Sequence, residues 1–139
     1  MFLLTYSYNN KETVGFLNKE KTGIIPASKV LQGASDLDMI DIIEILNNIE
    51  LKELNNAIET YEDAISLSEV KILSPIPYPK RNVICLGKNY LDHISEVKSL
   101  KNVNADIPQK PIYFSKIACP AMGHEDFVDS HSHIVTQLD

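Results

Sequence analysis

Hydrophobic and polar positions change rhythm twice along the chain. Phe2 to Tyr8 is rich in aromatic and β-preferring residues, and Asn9-Asn10-Lys11 supplies turn chemistry. Thr13 to Leu17 and Thr22 to Ile25 follow, separated by polar residues 18–21 and closed by Pro26. This opening predicts a small antiparallel meander. Gly15 is the position in its middle strand that weakens the pattern.

From Ser35 the period lengthens. Ser35 is placed to cap a helix, with Asp36 and Asp38 in the first turn where the helix dipole favours them. Leu37, Ile40 and Ile43 then step at three, which predicts a helix over 36–48. Leu51, Leu54, Ile58, Tyr61 and Ile65 repeat at 3-4-3-4 and predict a second helix with one apolar stripe. Asn55, Asn56, Glu59, Thr60 and Glu62 cover its polar side. Val70 to Leu73 reads as an exit strand.

Pro75, Pro77 and Pro79 then force an extended connector, because proline fixes φ and removes a donor. The expected division falls here, with residues 1–74 as a small accessory α+β domain and residues 75–139 as a second domain. Asn82 to Leu86 reads as a short buried strand ending at Gly87, where a glycine permits a tight turn. Residues 89–100 have helical spacing with Asn89 as the cap, and Ile112 to Lys116 predicts another strand. The final run, Ile134 to Asp139, has no polar tail and reads as a pattern that stops midway.

Composition narrows the function classes. Of the 139 residues 44% are hydrophobic and 23% charged, the balance of a globular protein of one domain or one and a part. The formal net charge is -6, and Lys80-Arg81, Lys98 and Lys101 are too sparse for a basic stripe. Nucleic acid and anionic membranes are therefore excluded as expected partners. No apolar run approaches the roughly 20 residues of a spanning helix. The first residues lack a basic region and a cleavage site, so the expected location is cytoplasmic. Cys85 and Cys119 lack CxxC spacing and read as reduced thiols, Cys85 in the core and Cys119 in a loop.

The chemistry-bearing stretch is residues 84–96. On a helix, His93 and Glu96 share one face, and a carboxylate beside an imidazole orients it and raises its basicity. That pairing suits a general base, although a solvated ion pair has the same spacing. Asp92 points about 100° away from His93 on such a helix. His131-Ser132-His133, with His124, Glu125, Asp126 and Asp129 nearby, invites a zinc or nickel site. No regular period fixes those ligands, so a polar surface loop is the expected reading. In a rival reading the chain is a non-catalytic interaction module docking through the stripe that begins at Leu51, or a degraded remnant.

Gly87-Lys88-Asn89-Tyr90-Leu91-Asp92-His93-Ile94-Ser95-Glu96 resembles the Gly-x-Asn-Tyr-x-x-His-x-x-Glu pattern of the fumarylacetoacetate hydrolase family. Pro111 to Lys116 resembles that family's Pro-x-x-Phe-x-Lys strand, and Gly123 to Val128 the loop after it. Val135 to Asp139 looks like the approach to its Asp-Tyr-Glu-x-Glu-Leu motif. The resemblance runs from about Pro75 to Asp139, and more loosely over the first 70 or so residues.

The resemblance implies an accessory α+β domain followed by the start of a mixed β-roll. It also implies an enzyme, homodimeric at full length, acting on keto or diketo acids by C–C hydrolysis, decarboxylation or isomerisation. Magnesium or manganese is the implied cofactor. His93 becomes the general base, Glu96 its orienting partner, and Tyr90 and Lys116 lie near the substrate or behind the residues that touch it. The family's Glu-x-Glu metal ligands would follow Asp139, so no metal ligand is expected within this chain, and the chain alone is expected to be inactive. A sheet left incomplete in this way is expected to self-associate or aggregate through open edges.

Overall fold

The computed structural model describes residues 1–90, 108–131 and 133–134. The expected helix beyond Tyr90, with Asp92, His93 and Glu96, lies outside the described residues, as do Ser132 and residues 135–139. The class is α+β. Two compact units divide the chain: unit 1 holds Met1–Pro77 and Ala121–Asp139, and unit 2 holds Tyr78–Pro120.

Unit 1 opens with the meander that the β-preferring segments and their turn residues predict. β1 (Leu3–Tyr8), β2 (Lys11–Leu17) and β3 (Gly23–Pro26) pair antiparallel, Leu3 opposite Phe16 and Phe16 opposite Ile25. Asn9 and Asn10 both take positive φ, 49° and 61°, which gives the two-residue turn whose twist matches a hairpin. A short helix absent from the sequence reading, α1 (Ala27–Val30), follows β3 directly.

The two longer helices are shorter than the periodicity suggests. α2 runs over Met39–Leu46, with Asp38 rather than Ser35 as its cap. Asp38 Oδ1 accepts from the backbone N–H of Ile40 at 2.8 Å and of Asp41 at 2.9 Å, and Asp41 returns a bond to the Asp38 N–H. Asp36, expected in the first turn, is left-handed with φ 61° and pairs with Lys11. α3 (Leu51–Thr60) ends because Tyr61 is extended, so Ile65 leaves the helical stripe for β4 (Ile65–Ser66).

A 3₁₀ turn (Leu67–Glu69) leads on to β5 (Lys71–Ile72), and the sheet order is β4-β3-β2-β1-β5. In a flat sheet the two edge strands would lie roughly 19 Å apart. The chain from Ser66 to Lys71 reaches roughly 17 Å even if fully extended, and the 3₁₀ turn shortens it further. The sheet must therefore curl. Inside the curl, Leu4, Tyr6 and Ile24 form a small core with Ile65, Leu67, Val70 and Ile72 packed against it.

Gly15 is explained by that curl. A Cβ there would lie 2.6 Å from Ile24 Cγ2, 2.7 Å from the Ile25 carbonyl oxygen and 3.0 Å from the Tyr6 ring. On the outer face Val14, Phe16 and Ile25 meet Met39 and Ile42 of α2 and Leu54 and Ile58 of α3. The apolar stripe of α3 is thus spent on the core at its centre, while Leu51 at its start stays exposed.

Unit 2 contains one ladder. β6 (Val83–Gly87) pairs antiparallel with β7 (Ile112–Lys116), from Val83 opposite Lys116 to Gly87 opposite Ile112. β7 has the bounds expected from sequence, but β6 is not buried: Ile84 is 78% exposed and Tyr113 across the ribbon 69%. Cys85, expected in a core, is half-buried. Register explains the apolar run, because Cys85, Phe114 and Ile112 lie on one face while Ile84, Leu86 and Tyr113 lie on the other. Such a strand is written to be covered on both sides.

Candidate functional site

The left-handed residue after β6 is Lys88, with φ 50°, and not the glycine before it. A side chain grown on Gly87 would meet Ile112 and Phe114 at ordinary contact, 3.6 Å. The sharp change of direction expected at Gly87 is therefore made one residue later, by a lysine in a conformation that L-residues adopt at a cost.

This turn opens one wall of a cleft of about 220 Å³ lined by Gly87, Lys88, Asn89, Gln109 and Lys110 among others. Two lysines and two amide residues are among those that line it, and the described lining residues include no Asp or Glu. Among the described residues neither Lys88 nor Lys110 has an acidic partner within ion-pair distance. The larger cleft, about 510 Å³, lies in unit 1 between α1, α2 and α3, and its charged lining residues are Glu50 and Glu53.

Tyr90 is exposed and follows the Lys88 turn. Lys116 sits on the Val83 rung, four rungs and roughly 13 Å along the ribbon from Gly87. The ribbon thus carries Lys116 at one end and the turn leading to Tyr90 at the other. His93 and Glu96 lie outside the described residues.

The histidine-rich loop belongs to unit 1. His131 Nδ1 lies 3.3 Å from Asp129 Oδ2, His124 Nε2 lies 3.6 Å from Glu125 Oε1, and the His131 and His133 rings are 6.0 Å apart. Among the described residues no three His, Cys, Asp or Glu side chains come close enough to hold a metal ion. The expected metal therefore has no donor set in the described chain. Asp126 has a structural task instead. Lys71 Nζ stands 2.6 Å from its carboxylate and the Gly123 N–H donates to it at 2.7 Å, and together they hold its pKa below the usual value. Gly123 is needed at this point, since a Cβ would lie 2.9 Å from Leu73 Cα.

Lys88, Asn89, Gln109 and Lys110 were not singled out as ligand-binding residues in the sequence. A signal for them exists once the units are known. Residues 78–120 contain seven Lys and Arg against three Asp and Glu, whereas the rest of the chain has six against sixteen. The charge of -6 conceals one basic unit within an acidic chain. Among the described residues no helix is long and apolar enough to cross a membrane.

No family model matches the chain. It is similar to oxaloacetate tautomerase YisK of Bacillus subtilis, 50% identical over 74 residues, covering 53% of this chain and 23% of that protein. It is also similar to the mitochondrial oxaloacetate tautomerase FAHD2B of Homo sapiens, 41% identical over 61 residues, 44% of this chain and 17% of that one. An uncharacterized protein of Staphylococcus haemolyticus matches the whole chain at 28% identity over 152 residues. The chain spans about half the length of that relative, 48%.

Proposed function

The chain belongs to the fumarylacetoacetate hydrolase family, and from that premise we propose that it is part of an enzyme that moves a proton on a small keto acid, interconverting enol and keto forms of oxaloacetate or a close analogue. The similarity to YisK carries this reading, because that protein's activity is a tautomerisation. The reaction needs a proton taken from one atom of the substrate and one delivered to another, with no net change of composition. His93 is the group proposed to take and return it, and Glu96 the carboxylate that orients the ring. Tyr90 and Lys116, which stand at opposite ends of the ribbon, are proposed to lie near the substrate or behind the groups that touch it.

Residues 75–139 are proposed as the beginning of the mixed β-roll, completed by sequence corresponding to the unmatched part of the Staphylococcus relative. Two-sided apolar strands in unit 2 support this, since such strands need cover on both faces. Magnesium or manganese is the cofactor that family membership suggests. The described donor set does not fit a metal, so no step here is assigned to one.

The test is a chimaera joining Met1–Asp139 to the part of the Staphylococcus protein that this chain does not match. Loss of the ultraviolet absorbance of enol-oxaloacetate is followed with the chimaera, with its His93→Ala variant and with the 139-residue chain alone. The chimaera should accelerate the loss, the alanine variant should be about 10²–10⁴-fold slower, and the chain alone should match buffer. Equal rates for chimaera and variant would remove His93 from the chemistry.

A further inference from the structure

We infer that the acidic, apolar groove on the helical side of unit 1 is a docking site for a basic amphipathic helix of another protein. This inference stands apart from the keto-acid reading, since it concerns the other unit and no reacting group.

The surface comes first. The cleft of about 510 Å³ between α1, α2 and α3 has buried Leu31 and Leu54 and half-buried Val30, Ile45 and Ala57 among its lining residues, with Ile49 38% exposed at its rim. A second cleft of about 430 Å³ on α2 is lined by Leu37, Asp41, Glu44, Ile45 and Asn48. Ile45 is a wall of both, so the two form one apolar surface. The stripe of α3 that the sequence offers for docking is turned inward at Leu54 and Ile58, and this groove is the apolar ground left beside it.

Charge decides what fits. Between Leu31 and Asp63 the chain has nine Asp or Glu against one Lys, Lys52. Asp41, Glu44, Glu50 and Glu53 line the two clefts, and no Lys, Arg or His lines either. Among the described residues Glu44, Glu50 and Glu53 have no cationic partner. An apolar trough rimmed by unpaired carboxylates is complementary to apolar side chains flanked by Lys or Arg.

The start of α3 adds a separate observation. In α2 the cap residue, Asp38, spends its carboxylate on two backbone N–H groups. Glu50 holds the same position in α3 and makes no capping hydrogen bond. Glu53 follows three residues later, so two like charges stand together at one helix end. The dipole of α3 offsets part of their repulsion, and a cation placed between them would relieve the rest.

Shape selects a helix over other basic ligands. A small amine would leave most of this surface bare. A helical wall has its backbone groups bonded internally, so an extended peptide finds no sheet edge to join, whereas the apolar face of a helix can lie in such a groove.

The probe is a synthetic helix of about 14 residues repeating Leu-Lys-Lys-Leu-Leu-Lys-Leu, titrated into the ¹⁵N-labelled 139-residue chain. Saturable amide shifts are expected at Ile45, Ile49, Glu53 and Ala57. Glu50→Gln and Glu53→Gln should each weaken binding several-fold and flatten its salt dependence. Ala57→Arg, which fills the cleft with the probe's own charge, should weaken it about tenfold. Glu69→Gln, on the 3₁₀ turn and lining neither cleft, should leave it unchanged. A peptide of the same composition scrambled to have no apolar face should bind several-fold more weakly, and one with Glu in place of Lys should not bind. The amide signal of Phe16 should keep its position in every variant, which certifies the fold. Absence of shifts in the groove, equal binding of the scrambled peptide, or unaltered affinity in both glutamine variants would each overturn the proposal. Movement of the same signals on adding unlabelled chain in place of peptide would make a second copy the occupant and overturn it too.

Discussion

Phenylalanine occurs in both units with opposite surroundings. Phe16 in β2 is fully enclosed between the sheet and the helices, while Phe114 in β7 is 45% exposed on a ribbon whose two faces are both apolar. Unit 1 closes because a short connection links its outermost strands and because three helices cover one face. In unit 2 the ladder has strand pairing but little cover among the described residues. Hydrogen bonds between two strands are not enough to make a core, and a lone pair of strands is marginal in water. Sequence hydrophobicity is nearly the same in both; burial differs because it depends on what lies opposite.

The sharpest test exchanges these phenylalanines for alanine. Phe16→Ala should cost about 3–5 kcal/mol in urea unfolding, and Phe114→Ala under about 1 kcal/mol in the isolated chain. In the chimaera described above, Phe114→Ala should become the costly one if added strands cover the ribbon. Equal costs in the isolated chain would mean that unit 2 already has a covering layer.

Glycines give the next contrast. Gly15→Ala drives a methyl into Ile24 and the Ile25 carbonyl and should destabilise by about 1–3 kcal/mol. Gly87→Ala meets only ordinary contacts and should cost less than about 1 kcal/mol. Both are read as midpoint shifts in denaturant. A larger penalty at Gly87 than at Gly15 would show the ribbon to be the more tightly packed of the two.

The smallest effect concerns Tyr6, buried inside the curled sheet. Burial raises its pKa above the ordinary 10.0. Above pH 10 the unfolded chain gives up this proton more readily than the folded one, so stability contributed by Tyr6 is present below pH 10 and is lost as pH rises beyond it. Tyr6→Phe should flatten the alkaline limb of the stability curve. An unchanged limb would mean that the ring is reached by water.

Much of unit 1 was legible because its elements are local. The Asn9-Asn10 turn fixes a hairpin register by itself, and β1 and β2 fall on the β-preferring segments, each burying three consecutive residues because both faces of the curled sheet are covered. Helix bounds were less legible, since Ser35, Asp36 and Asp38 are all chemically able to cap. Only the reciprocal bonds between Asp38 and Asp41 decide among them, and Asp36 just before them is left-handed. Tyr61 leaves the helix without a glycine or proline to announce it, because pairing of Ile65 with Ile24 draws the chain into the sheet. At the candidate site the order reversed. Gly87 drew attention as a motif residue, whereas Lys88 carries the unusual backbone. Charge segregation between units is invisible in a net value of -6 and emerges only when chain boundaries are drawn in space.

One feature of unit 1 reaches further than its own stability. The Ala121 N–H donates to the Pro77 carbonyl at 2.8 Å, so the chain leaves for unit 2 and returns from it at neighbouring points of one frame. A segment entered and left through the same doorway is a cassette. It can be excised and its ends spliced, or another module grafted in its place, without asking the surrounding frame to change its path.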